Sequence, residues 1–118
     1  MNTSSQSITS SRPQRLLRDG LIASAERHPD KIAIIVDGTS YTYAELYNAS
    51  SCIAQALIDR GSRRGDRIAI YMDNTWSCVI SIYATLLSGG VFFTINPQTK
   101  ADKLEFILNN SETKILLT

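Results

Sequence analysis

RIAIYMDNTWSCVISIYATLLSGGVFFTI, residues 67–95, holds a short apolar run, a polar joint, a longer apolar run, a glycine pair and a second short apolar run. Arg67 to Met72 is isoleucine-rich and flanked by polar residues, which predicts a buried strand. Asn74 or Thr75 offers a side-chain oxygen that can cap a helix running to Leu87. That helix is apolar on nearly all sides (Trp76, Val79, Ile80, Ile82, Tyr83, Leu86, Leu87), so it is expected between layers. Ser88-Gly89-Gly90 breaks it, and Val91 to Ile95 returns as a strand. Strand, helix and strand in this order predict parallel pairing through a right-handed crossover. Residues 76–95 carry no charge, a length that would suit a bilayer span. The Ser-Gly-Gly interruption instead predicts a buried helix, a turn and a strand, and no membrane span.

Toward the N-terminus the alternation is extended. Leu17, Leu21 and Ala25 recur every fourth residue, which predicts an amphipathic helix from about Gln14 to Arg27. His28-Pro29-Asp30 ends it, because a residue before proline is pushed out of the helical region. Lys31 to Val36 and Thr39 to Thr42 read as two strands around the turn dipeptide Asp37-Gly38, a β-hairpin. Thr42-Tyr43-Ala44-Glu45 has the form of a capping box opening a second helix. Leu46, Ala49, Ile53, Ala56 and Leu57 are expected on its inner face, with Gly61 as a left-handed cap. Toward the C-terminus, Asn96-Pro97 turns the chain. Thr99 is expected to cap a last helix with Ala101, Leu104, Ile107 and Leu108 inward, before a strand from Lys114 to Leu117. The fold class is therefore α/β, a parallel sheet with helices on both faces preceded by a short β-hairpin.

The 118 residues, 43% hydrophobic and 19% charged, suit one packed unit rather than a disordered chain. Residues 1–13 read as a disordered polar leader without the apolar core of a secretory signal. Residues 14–118 form the α/β unit, and its last strand, with nothing after it to cover it, suggests a piece of something larger. A net charge of +1 supplies no broad field for nucleic acid, so no nucleic-acid partner is expected. Cys52 and Cys78 make no CxxC and fall in apolar helical patterns, so both are expected reduced and buried, as suits a cytoplasmic protein. One histidine, His28, cannot build a metal cluster.

The usual chemical signatures do not occur. No glycine-rich phosphate loop opens a helix after a strand, since Gly89-Gly90 follows a helix instead. No GxSxG elbow is present. Asp37 and Asp73 lie just past predicted strands, where α/β sites gather, yet turn formation accounts for both. The loop Arg60 to Arg67 holds four arginines and one aspartate. Guanidinium forks suit phosphate, but a solvated connection between helix and strand accounts for the loop as well. A receiver or flavodoxin type of small α/β domain would need an acidic cluster or a phosphate loop after the first strand, and neither is there.

Several stretches, in order, resemble the AMP-forming acyl- and aryl-CoA ligases of the adenylate-forming superfamily. His28-Pro29-Asp30-Lys31-Ile32-Ala33 and Tyr41-Thr42-Tyr43-Ala44-Glu45-Leu46 are similar to the opening of those enzymes, the latter like their first core motif. Arg64-Gly65-Asp66-Arg67-Ile68-Ala69-Ile70 is similar to the strand that follows. Leu86 to Phe93, leading to Ile95-Asn96-Pro97, resembles the second core motif, with Ser88-Gly89-Gly90 where the family often has alanine–glycine. The resemblance spans about residues 15–118 and implies the N-terminal part of the large domain of such an enzyme. Ile95-Asn96-Pro97 looks more like acyl- or aryl-CoA ligases and free-standing acyl-acyl-carrier-protein ligases than peptide-synthetase adenylation domains.

The resemblance implies a parent enzyme that activates a carboxylate with ATP to an acyl-adenylate. A thiol, coenzyme A or a carrier phosphopantetheine, then displaces AMP, with Mg2+ assisting the first step. The family's phosphate loop and catalytic lysine have no counterpart here, and Lys114 precedes that loop. No catalytic, cofactor-binding or metal residue is therefore carried over, and the chain alone is expected to be inactive and without cofactor. Thr42, Glu45, Gly89 and Gly90 correspond to scaffold. The implied partners are a small-molecule carboxylate, a thiol acceptor and the remainder of the ligase. The alternative is a freestanding α/β interaction module derived from such a ligase.

Overall fold

A computed structural model describes the chain from Arg12 onward, and its side chains from Leu16 onward. The expected leader thus falls largely outside the described residues, but helix α1 (Arg12–Arg27) starts at Arg12, two residues earlier than the periodicity suggests. Pro13 fits there because a first-turn residue has no intrahelical N–H bond to lose. Strands β1 (Ile32–Val36) and β2 (Thr39–Thr42) pair antiparallel as a separate two-stranded sheet. Asp37 (φ 51) and Gly38 (φ 79) both take left-handed angles, as a two-residue type I′ turn requires. Tyr41 then stacks on Trp76 with centroids 3.7 Å apart, which ties the hairpin to the start of α3.

Helix α2 (Tyr43–Asp59) opens with the expected capping box. Glu45 N–H donates to Thr42 Oγ1 at 3.1 Å, and Thr42 N–H donates to Glu45 Oε1 at 2.8 Å. It closes as a Schellman cap: Ser62 N–H reaches Leu57 O and Gly61 N–H reaches Ile58 O, each at 3.0 Å, with Gly61 at φ 98. Its inner face differs from the expected one. Leu46, Ser50, Ala54 and Leu57 are buried, while Ile53 and Ala56 are exposed. Cys52 is likewise exposed, against expectation. Small side chains are selected here because α2 packs closely along α3.

Strands β3 (Arg67–Ile70), β4 (Val91–Thr94) and β5 (Thr113–Leu117) form a parallel sheet in the order β4-β3-β5. Helix α3 (Trp76–Leu87) joins β3 to β4, and α4 (Ala101–Asn110) carries the chain back past β3 to β5. Right-handed crossovers in opposite directions place α3 and α4 on opposite faces. The register puts Phe92, Ile68 and Ile115 abreast on the α3 face, and Phe93, Ala69 and Leu116 on the other. The core lies on the α3 face, where Ala54, Leu57, Ile68 and Ala84 pack together with Leu87, Ile115 and Leu117 against them.

Thr75 caps α3, accepting from Cys78 N–H at 3.3 Å. The most buried positions of α3 include Cys78, Ser81, Ala84, Thr85 and Leu86, whereas Trp76, Val79, Ile80, Ile82, Tyr83 and Leu87 are half-buried. Ser81 and Thr85 are tolerated inside because each donates its hydroxyl one turn back, to Ser77 O and Ser81 O, at 2.8 Å. Helix α3 also ends in a Schellman cap, with Gly90 N–H on Thr85 O and Gly89 N–H on Leu86 O. Helix α4 departs from expectation. Its N-cap is Lys100, without a side-chain bond, and a turn precedes it in which Asn96 Oδ1 and Asn96 O accept from the Gln98 and Thr99 N–H groups. Ala101 is exposed, and Leu104, Ile107 and Leu108 are only half-buried.

Candidate functional site

The carboxyl ends of parallel strands are where ligands meet α/β folds. Here those ends border a groove of about 400 Å³ lined by Tyr71, Met72, Asp73, Thr75, Ser77, Pro97 and Thr118. Its walls are well fixed. Tyr71 N–H donates to Leu117 O and Ile95 N–H to Ile70 O, both at 2.9 Å, and Tyr71 OH donates to Thr99 O at 2.7 Å. Thr75 N–H turns back to Asp73 O at 2.8 Å, so the Asp73 carboxylate stands at the groove on a closed turn.

Of the two aspartates singled out by sequence, only Asp73 reaches this groove. Asp37 lies in the hairpin turn of the other sheet, so the two do not form an acid–base pair. Tyr71, Ser77 and Pro97 were not singled out. The signal available was position alone: Tyr71 follows β3, Pro97 comes shortly after β4, and Ser77 lies in the first turn of α3.

The amino ends are built differently. Gly65 N–H donates to Gly89 O at 2.9 Å and Val91 N–H to Asp66 O at 2.8 Å, which joins the arginine loop to the glycine turn. A side chain at Gly90 would meet Asp66 O and Ile68 Cδ1 at 3.1 Å and Thr85 Cγ2 at 3.2 Å. Gly89-Gly90 is thus a close-packed helix stop and leaves no cradle for a phosphate. Among the described residues no three His, Cys, Asp or Glu gather as a metal site. The glycine turn therefore offers no cradle for the phosphates of the ATP that the resemblance implies for the parent enzyme.

Among the described residues, two groups are shifted from their ordinary values. Burial pushes the Cys78 thiol up, which disfavours the thiolate and any nucleophilic role. Burial, and then the neighbouring Tyr43, push the Tyr83 phenol up. Tyr43 and Tyr83 border a second, apolar groove of about 290 Å³ between α1, the hairpin, α2 and α3. Among the described residues no helix is long and apolar enough to cross a membrane.

Comparison with known proteins agrees with the geometry. Residues 21–118 match the family described as AMP-binding enzyme. The chain is 33% identical over 94 residues to tyrocidine synthase 1 of Brevibacillus parabrevis, covering 80% of this chain and 9% of that one. It is 32% identical over 106 residues to a long-chain-fatty-acid–CoA ligase of Bacillus subtilis (strain 168), covering 90% of this chain and 19% of that one. Its fold is similar to that of o-succinylbenzoate coenzyme A synthetase from Bacillus subtilis, solved in complex with AMP. The TM-score is 0.75 at 30% identity, over 81% of this chain and 25% of that one. The chain thus spans a quarter or less of the lengths of these relatives. With its hairpin, capping box and glycine turn in the order the resemblance anticipates, the chain belongs to the AMP-binding enzyme family and corresponds to an N-terminal portion of an AMP-forming ligase.

Proposed function

We propose that the chain from Arg12 to Thr118 is part of the N-terminal α/β subdomain of a ligase that activates a carboxylic acid with ATP, with residues 1–11 as a polar leader. The acyl-adenylate so formed passes its acyl group to a thiol, coenzyme A or a carrier phosphopantetheine. The observation that carries this reading is the family match over residues 21–118. In this reading Mg2+ and ATP are held by parts of the enzyme other than the residues described here. The chain supplies the sheet, the carboxyl-end groove and the glycine-locked amino end, and alone it neither binds ATP tightly nor catalyses. A cytoplasmic location fits the exposed free thiol of Cys52, which persists best in a reducing compartment.

The test is to read the frame beyond Thr118 and express its whole product with a panel of carboxylates. The product is expected to contain a Gly/Ser/Thr-rich phosphate loop and to form AMP in a carboxylate- and thiol-dependent way. Coenzyme A and a phosphopantetheinylated carrier, supplied separately, distinguish the two acceptors. A frame that encodes no such loop would leave the chain an interaction module and overturn the enzymatic reading.

A further inference from the structure

The dipeptide Asp-Gly occurs twice, as Asp19-Gly20 and as Asp37-Gly38, and the fold puts the two in opposite settings. Asp19-Gly20 lies inside α1, where the Gly20 amide belongs to the helical ladder, and Arg18 Nη1 donates to Asp19 Oδ1 at 3.3 Å. Asp37-Gly38 makes up the whole two-residue turn between β1 and β2, at φ 51 and φ 79. Among the described residues the Gly38 N–H donates to no backbone carbonyl, and no cation pairs with the Asp37 carboxylate. The ladder that closes this turn has four register pairs and a shift between Ile32 and Ile34. A two-stranded hairpin is marginal on its own strand pairing, so this turn opens locally more readily than the helix does.

We propose that Asp37 is a covalent modification site: it converts to isoaspartate through Gly38, Asp19 does not, and the conversion loosens the hairpin from α3. In the first step the Gly38 amide nitrogen bonds to Asp37 Cγ, and a carboxyl hydroxyl leaves with the amide proton as water. The product is a cyclic succinimide. Gly38 favours this step because it has no Cβ to crowd the attacking nitrogen. Water then reopens the ring. Where it cleaves the bond between Gly38 N and the Asp37 main-chain carbonyl carbon, the chain runs on through Cγ and the α-carboxylate is freed. One water is lost and one regained, and nothing is oxidised or reduced. The main chain is then one methylene longer, so a two-residue turn no longer closes on the Val36–Thr39 and Ile35–Ser40 pairs. Tyr41 follows in that register, and its stack on Trp76 depends on it. Trp76 stands between Thr75 and Ser77 of the carboxyl-end groove, so chemistry in the turn reaches that groove. Both reacting groups belong to adjacent residues of this chain, and the inference stands apart from the enzymatic reading.

The experiment ages the 118-residue chain in neutral buffer, then digests it with a protease that cleaves before aspartate and not before isoaspartate. Resistance to cleavage should accumulate at Asp37 at least about tenfold faster than at Asp19 in the folded chain, and at similar rates at both in the chain unfolded in urea. The fluorescence of Trp76, the sole tryptophan, should change in step with conversion at Asp37. Asp37→Gly suits the left-handed angle and has no carboxyl, so it should keep the hairpin and hold the Trp76 signal steady on ageing. Asp37→Asn, whose side-chain amide leaves as ammonia, should convert faster than the parent chain. Equal conversion of Asp19 and Asp37 in the folded chain would overturn the proposal, as would an Asp37 that stays cleavable. Conversion at Asp37 without a change at Trp76 would overturn it too, as would a Trp76 change that persists in Asp37→Gly.

Discussion

On one face of the three-stranded sheet, Ile68 stands between Phe92 and Ile115 beneath Ala54, Leu57 and Ala84, fully sealed from solvent; on the other, Ala69 lies between Phe93 and Leu116 beneath α4, which has no buried residue. The first face is held by apolar burial. Ser50 and Ala54 on α2 meet an α3 whose inner positions include Ser81 and Ala84, and small side chains let the two helices approach. The second is held at its ends by polar bonds. Tyr71 OH donates to Thr99 O just before α4, and Arg67 Nη1 donates to Ser111 O just after it, both at 2.7 Å. Meanwhile Phe106, on α4 itself, is 66% exposed. Ala69 is as fully buried as Ile68, but large-side-chain burial is concentrated on the first face and terminal hydrogen bonds on the second, and substitutions should separate them.

Ile68→Ala should have the largest effect, because it opens a cavity where no surface loop can relax inward. A loss of about 2–5 kcal/mol is expected in urea unfolding. A loss below about 1 kcal/mol would mean that the two faces are alike. Gly90→Ala comes next. Its methyl meets a backbone carbonyl and the side chains of Ile68 and Thr85, so about 1–3 kcal/mol should be lost. Ser50→Ala should act in the opposite direction. The Ser50 hydroxyl is fully buried and without a hydrogen-bond partner, so its removal should stabilise by about 1 kcal/mol. Destabilisation would mean that the hydroxyl is bonded after all.

Tyr83, on α3, supplies a pH test. Its phenol titrates above the ordinary 10.0 in the folded chain, mainly through burial. The unfolded chain releases that proton first, so the stability Tyr83 contributes is complete below pH 10 and falls as pH rises toward the folded value. Urea melts at about pH 9 and about pH 11 should therefore converge for Tyr83→Phe relative to the parent chain. An unchanged pH dependence would place Tyr83 in water. Phe106→Ser should do least, within about 0.5 kcal/mol, since most of that ring is already solvated.

The sequence made the ends of elements more legible than their faces. Thr42 with Glu45, Asp37 with Gly38, Gly61 and Thr75 all do what their local chemistry suggests, because caps and turns are settled within four residues. Periodicity instead chose Ile53 and Ala56 for the inner face of α2, where Ser50 and Ala54 lie, and buried Cys52, which is exposed. A hydrophobic pattern rewards large apolar residues, while close helix packing selects small ones, and that selection depends on a partner helix more than twenty residues away. Thr99 is not the cap because α4 starts one residue later, Leu104 N–H closing the first turn on Lys100 O. The groove was half visible. Asp73 stood out by type and place, but Tyr71 and Pro97 join it only through strand pairings between distant segments.

The measurement that bears most directly on the central claim is carboxylate-dependent exchange of pyrophosphate into ATP by the 118-residue chain alone, beside a full-length AMP-forming ligase of the family. A scaffold portion of such a ligase, whose glycine turn is a packed helix stop, gives no exchange while the full-length enzyme does. Robust exchange by the 118-residue chain would contradict this account and place the nucleotide chemistry within residues assigned here to structure.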